Sequence, residues 1–304
     1  MSTFSDKNAS SSPDTIADDQ RESVDCMFCG VSDSELYACA KSRYDERRFD
    51  VVRCRRCGLV YTNPRIAHKA TEIENRPSNP TLFTDASRLR WKRSAADLQV
   101  RRIERFCPPG RLLDFGCGQG ILVHRAVQRG WDAYGTELNR NLVTQANEHW
   151  GDTRLWCDSL ETILERNRAG FDALISTQVF EHLTNPLEML RELGALLKPG
   201  GFALIDVPNL DCAEERRRHG ASLDPTAHLY YFTRATLTRM MREAGFTVMT
   251  CRAAPNNLGL YRRVFERLFG PALPVILANL TESLPLPGIG KGVFAVGRWP
   301  GPTC

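Results

Sequence analysis

Two short cysteine patterns, one glycine-rich turn and a few polar residues at the ends of apolar runs carry the chemistry available to this chain. Cys26-Met27-Phe28-Cys29-Gly30 recurs as Cys54-Arg55-Arg56-Cys57-Gly58. Such a pair of C-x-x-C-G knuckles brings Cys26, Cys29, Cys54 and Cys57 around one tetrahedral Zn²⁺. Glycine follows each second cysteine because the knuckle turns sharply and demands a positive φ. Four sulfurs leave no open position, so the metal is expected to serve folding rather than chemistry. Between the knuckles, residues 49–53 alternate like a short strand leading into the second pair, as in a zinc ribbon.

A second constellation begins at Gly116-Cys117-Gly118-Gln119-Gly120, which follows the apolar run 111–115 and opens a helical stretch from Ile121. The glycines let a ligand approach the backbone, and the helix N-terminus suits a carboxylate. A dinucleotide turn needs its third glycine one position later, where this chain has Ile121. Asp114, two residues before the first glycine, suits a cationic, amino-acid-bearing cofactor better than a pyrophosphate. Glu137 ends the next strand and can accept both ribose hydroxyls, a role open to either adenosine cofactor. Cys117 and Leu138 join the expected lining. Asp158 can take the adenine amino group while Ser159 caps the next helix. Thr177 and Gln178, after the strand 171–176, complete the expected cofactor contacts.

Acid–base chemistry points to Glu181-His182 and to His228. Both histidines follow strands, at the sheet edge where ligands bind in such folds, and imidazole titrates near neutrality. Glu181 can orient a neighbouring imidazole. Tyr230 and Tyr231 lie beside His228 in a loop expected to bear on the acceptor. For each histidine, packing of a turn is the alternative role.

These residues need a scaffold, and the patterning supplies one. From Gly110 onward short β-rich runs alternate with amphipathic segments, the pattern of a parallel sheet with helices on both faces. Lys198-Pro199-Gly200-Gly201 is expected to end the helix that starts at Pro186. Residues 292–297 are expected to form a last, antiparallel strand. Apolar residues at helical spacing between 258 and 269 predict a core-covering helix. The expected division is a disordered tail over 1–22, a zinc-knuckle module over 23–64, a helical linker and substrate-side cap over 65–105, and a catalytic domain over 106–304.

LLDFGCGQG, YGTELN, CDSLE, FDALISTQVFEHLTNP and LLKPGG, in that order and spacing, resemble the motif set of class I S-adenosylmethionine-dependent methyltransferases. The resemblance implies an α/β, Rossmann-like seven-stranded sheet and S-adenosylmethionine as cofactor. The cysteine pairs followed by GLVYTNPR are similar to the N-terminal zinc-binding part of bacterial sugar C-methyltransferases, in which a Glu-His pair at the position of Glu181 and His182 lines the active site. At 304 residues the sequence is shorter than those enzymes, so their additional C-terminal domain is not expected.

Charge and composition limit the acceptor less sharply. Residues 41–105 hold seventeen Lys or Arg against eight Asp or Glu, within a chain of net charge +4. That excess is either a solvated face or a surface that attracts an anionic acceptor. The leading expectation is a small-molecule acceptor: a sugar, a polysaccharide or a natural-product intermediate. The alternatives are a nucleic-acid methyltransferase using the basic half, or a cofactor-binding protein without turnover. Little aromatic interleaving for base stacking argues against nucleic acid. The first twenty residues are polar and acidic without an apolar run, so no secretory leader is expected. The apolar stretch 268–281 is too short for a membrane span, which needs about 20 residues. Eleven scattered cysteines and no leader predict a reducing cytoplasm with free or metal-bound thiols. The sequence leaves the oligomeric state open.

Overall fold

The computed structural model describes residues 21–42, 46–66, 83–212, 223–254 and 291–301. Its centre is a seven-stranded sheet. Strand β6 (Arg111–Phe115) lies inside it, flanked by β7 (Asp132–Thr136) and β8 (Leu155–Trp156) on one side. On the other side lie β9 (Phe171–Thr177), β10 (Leu197–Pro208), β13 (Gly292–Arg298) and the edge strand β12 (Thr247–Ala254). Strands β6 to β10 pair in parallel, whereas β13 runs antiparallel to both β10 and β12. The parallel strands are covered on both faces, which is why β9 reads as a near-continuous apolar run rather than an alternation.

Helices alternate with the parallel strands along the chain, as crossover connections between parallel strands require. Helix α1 (Ala86–Ile103) precedes the sheet, α2 (Ile121–Val127) follows β6, and α3 (Arg140–Trp150) follows β7. Then α4 (Leu160–Asn167) follows β8, α5 (Pro186–Gly194) follows β9, and α6 (Arg234–Glu243) precedes β12. Capping is local and legible: the side chain of Asn139 accepts from Leu142 N, Ser159 from Thr162 N, and Thr233 forms a capping box with Thr236. One core face joins α1, α2 and α3 through Val100, Ile103, Val123 and Ala146. The opposite face packs α5 and α6 on the sheet through Leu190, Leu193, Leu237 and Met240.

The N-terminal part forms a second sheet, with β2 (Ser34–Lys41), β3 (Arg48–Cys54) and β4 (Val60–Thr62) in antiparallel order. Its fourth strand comes from the C-terminal part of the chain: β11 (Tyr230–Tyr231) pairs with β4, Tyr230 opposite Tyr61. Arg21 and Glu22 form β1 against β5 (Arg65–Ile66). Cys26, Cys54, Leu59 and Tyr61 thus share one core with Phe180, Leu229 and Phe232.

One boundary differs from the sequence reading. Lys198 to Gly201 do not end a helix; α5 stops at Gly194, and those residues open the long strand β10 across a register shift between Leu197 and Phe202. Burial of Leu196 and Leu197 against the core draws the chain into extended form before the glycines. The helix read over 258–269 and the apolar stretch 268–281 lie outside the described residues. Among the described residues, no helix is long and apolar enough to cross a membrane.

Candidate functional site

The glycine turn sits at the carboxyl end of β6. Gly116 has φ 77°, and a Cβ there would lie 2.4 Å from Val179 Cγ2. A side chain at that position is therefore excluded twice, by conformation and by contact. A Cβ on Gly118, by contrast, would meet nothing within 4 Å. Open space beside an exposed backbone is what a closely approaching ligand requires. The amides of Gly116 and Cys117 both donate to Thr136 O at 2.9 Å, which ties the turn to the end of β7.

Glu137 is anchored by two backbone amides, Gly118 N to Oε2 and Asn139 N to Oε1, each 3.0 Å. The carboxylate is thereby held at the tip of β7, against the glycine turn, with Leu138 exposed beside it. Asp114 is buried beneath. Burial, with the nearby Glu137 charge adding, pushes its carboxyl up to about 8. A cation bound beside it would offset the Glu137 repulsion and favour the ionised carboxylate. Farther along the edge, Asp158 pairs with Arg166 at 3.2 Å, and Ser159 caps α4.

Thr177 and Gln178 follow β9. Thr177 Oγ1 is buried without a hydrogen-bond partner. Gln178 adopts φ 57°, unusual for a residue with a side chain. Its amide donates to Asp206 O at 2.8 Å and its Nε2 to Asp206 Oδ1 at 3.0 Å. Asp206 itself is fully buried and is held by Gln99 Nε2 at 2.7 Å and Arg102 Nη1 at 3.3 Å. Arg102 also stacks its guanidinium over the Phe294 ring, 4.0 Å from the centroid. This Gln99–Arg102–Asp206–Gln178 network was not read from the sequence. The available signal was Asp206 inside the apolar strand 202–207, since an acid there needs a buried partner.

Glu181 and His182 close a single 3₁₀ turn, residues Phe180–His182. Glu181 is 1% exposed and neither carboxylate oxygen accepts a hydrogen bond. Burial, with Asp206 adding, raises its carboxyl to about 8. His182 donates from Nδ1 to Ala227 O at 2.6 Å, leaving Nε2 3.7 Å from Glu181 Oε1. Burial lowers the His182 pKa. The His228 ring meets that of His182 edge to face, with centroids 4.9 Å apart. Ligand atoms of Glu181, His182 and His228 all lie within 4.8 Å of one another. The structure therefore gathers all three acid–base candidates at one point. Tyr231 stands beside His228 at 6.2 Å between centroids. Tyr230, however, turns inward, giving its hydroxyl to Thr184 O and receiving Arg65 Nη1; it packs the loop instead of facing an acceptor.

The four cysteines cluster as their spacing predicts, with every pair of sulfurs within 4.8 Å and Cys26 Sγ 3.4 Å from Cys57 Sγ. Gly30 and Gly58 have φ 60° and 74°, and their amides donate back to Cys26 O and Cys54 O. This donor set fits a tetrahedral zinc ion. Part of the basic excess nearby is engaged: Arg55 pairs with Asp33 and Glu35, Arg65 with Glu22, and Arg102 with Asp206.

The strand order, the antiparallel β13 and the glycine turn after β6 define a class I, Rossmann-like S-adenosylmethionine-dependent methyltransferase fold. Residues 88–250 match the family model described as "Methyltransferase domain", and the chain belongs to that family. It is 31% identical over 106 residues to the ubiquinone biosynthesis O-methyltransferase of Xanthomonas campestris pv. campestris (strain B100), covering 34% of this chain and 44% of that protein. The corresponding enzyme of Paracidovorax citrulli is 28% identical over 149 residues, covering 47% and 58%. The chain thus spans roughly half the length of these curated relatives. A SAM-dependent methyltransferase from Archaeoglobus fulgidus superposes with TM-score 0.51 at 19% identity, covering 71% of this chain and 98% of that one. Haemonchus contortus phosphoethanolamine N-methyltransferase 2, in complex with S-adenosyl-L-methionine, gives 0.50 at 17% identity, covering 79% and 63%.

Proposed function

We propose that this protein transfers a methyl group from S-adenosylmethionine to a small-molecule acceptor: a sugar, a polysaccharide or a natural-product intermediate. The supporting observation is the contact between Val179 and Gly116. It joins the glycine turn directly to the loop that carries Glu181 and His182, so cofactor and acceptor groups share one edge of the sheet. The names of the relatives, O-methyltransferases of ubiquinone biosynthesis, support a small acceptor.

Residue roles follow from position. The turn 116–120 would cradle the cofactor backbone, with Cys117 and Leu138 lining it and Asp114 facing its cationic end. Glu137 would hold the ribose, and Asp158 with Ser159 the adenine side. Thr177 and Gln178 would border the sulfur. The cofactor supplies a methyl group already activated on a sulfonium, so this chain's residues need only align the acceptor, exclude water and remove a proton where the acceptor carries one. His182 and His228, beside Glu181, are placed for that task, and at least one would orient or deprotonate the acceptor.

The four cysteines would hold one structural Zn²⁺. Since β4 pairs with β11 and Thr62 Oγ1 donates to His228 O at 3.1 Å, the zinc module would brace the acceptor loop. Residues 23–64 would form that module, 65–105 a cap, and 106–304 the methyltransferase domain. The test is methyl transfer from labelled S-adenosylmethionine to a panel of sugars and phenols. Product formation whose cofactor KM rises in Glu137→Ala supports the reading, and a protein that binds S-adenosylhomocysteine but methylates nothing on the panel directs the search to other acceptors. Failure to bind S-adenosylhomocysteine overturns it.

A further inference from the structure

We propose that Glu181, His182 and His228 form a second metal centre, one that binds a divalent first-row transition cation at the acceptor edge. One carboxylate and two imidazoles offer donors within 4.8 Å of one another, close enough to converge on a single ion. The mixed set matters. Imidazole suits first-row transition ions, whereas magnesium and calcium sites are built from oxygens.

Two independent observations point to a ligand. The first is Glu181, 1% exposed, with neither oxygen accepting a hydrogen bond. A buried carboxylate left this way is costly unless something else satisfies it, and a cation between it and the two rings would do so. The second is the tautomer of His182. Its Nδ1 donates to Ala227 O at 2.6 Å, so the lone pair lies on Nε2, the nitrogen that faces Glu181. Metal-bound histidines are oriented by such a carbonyl on the far ring nitrogen.

The backbone around the three residues is fixed. Leu229 N donates to Glu181 O at 2.7 Å, and His228 N donates to Asp224 O at 2.7 Å. Thr62 holds the His228 carbonyl from the zinc-module side. Three protein ligands leave positions open, unlike the four closed sulfurs of the cysteine site. An acceptor oxygen would occupy one of them through a lone pair and lose its proton to water as the ion lowers its pKa, with no change in oxidation state. The ion's task rests on the methyl-transfer reading; its binding does not.

Co²⁺ titration of the full chain preloaded with one equivalent of Zn²⁺, which the four thiolates take first, tests the proposal. The expected result is one equivalent of Co²⁺ with visible ligand-field bands and no near-ultraviolet thiolate band, which separates this centre from the cysteines. Glu181→Gln and His228→Asn should each weaken binding at least about tenfold. Circular dichroism and S-adenosylhomocysteine affinity serve as folding controls, and His182→Asn substitutes for either variant that misfolds. A folded wild-type protein without the extra cobalt band, or variants that bind cobalt as tightly as wild type, would overturn the proposal. Loss of S-adenosylhomocysteine binding in the wild type would instead count against methyl transfer.

Discussion

The rings of His182 and His228 meet edge to face at 4.9 Å although one follows β9 and the other precedes β11. The contact exists because both loops leave the same edge of the sheet and because Ala227 O takes the Nδ1 proton of His182. Replacing either histidine by asparagine should lower turnover by about 10²–10⁴-fold if the acceptor must lose a proton. S-adenosylhomocysteine affinity should hardly change, since neither ring is among the residues proposed to hold the ribose or the adenine. Single-turnover assays with parallel calorimetry measure both quantities, and full activity in both variants would reduce the pair to loop packing.

The four-cysteine module should reach the loop of His228 rather than the cofactor. Elemental analysis should find about one structural zinc per chain, and Cys54→Ser should release it. With β4 loosened from β11, the acceptor KM should rise while S-adenosylhomocysteine affinity stays near wild type. Equal losses of both affinities would show that the module supports the whole fold instead.

Asp114 makes a pH prediction with a definite sign. Its carboxyl is raised from 3.8 to about 8, so the folded chain keeps a proton that the unfolded chain has released. Its stabilising contribution is complete below 3.8 and is lost as the pH rises through about 8. Glu181 acts in the same direction, so Asp114→Asn should flatten only part of the decline in urea midpoint across that range. Binding of S-adenosylmethionine, whose sulfonium is cationic, should strengthen as Asp114 ionises, and a pH-independent affinity in the wild type would contradict the proposed placement of Asp114 beside the cofactor.

Buried Asp206 depends on Arg102, which is 1% exposed. Arg102→Met should cost about 3–5 kcal/mol, the usual penalty for stranding one charge of a buried pair. Urea denaturation measures it. A loss below about 1 kcal/mol would mean that Gln99 and Gln178 satisfy Asp206 alone.

Much of this arrangement was legible in the chain. The repeated C-x-x-C-G named all four clustered sulfurs, and the glycine turn fell where β6 ends. The positions after β9 and before β11 named Glu181, His182 and His228. The rest depended on contacts between distant segments. Nothing local in Arg102 tells a surface cation from one buried against Asp206, because α1 must first dock on β10. Tyr230 reads like Tyr231 until the pairing of β11 with β4 buries both, setting the Tyr230 hydroxyl on Thr184 O and the Tyr231 ring beside His228. Lys198-Pro199-Gly200-Gly201 reads as a helix stop, but the burial of Leu197 decides that a strand has already begun.

Isothermal titration of the purified full chain with S-adenosylhomocysteine and, separately, with NAD tests the central claim most directly. The glycine turn, Asp114 and Glu137 predict stoichiometric S-adenosylhomocysteine binding, weakened by about 1–3 kcal/mol in Glu137→Ala as charged hydrogen bonds are lost, and no binding of NAD. Tight NAD binding with no response to S-adenosylhomocysteine would contradict the account.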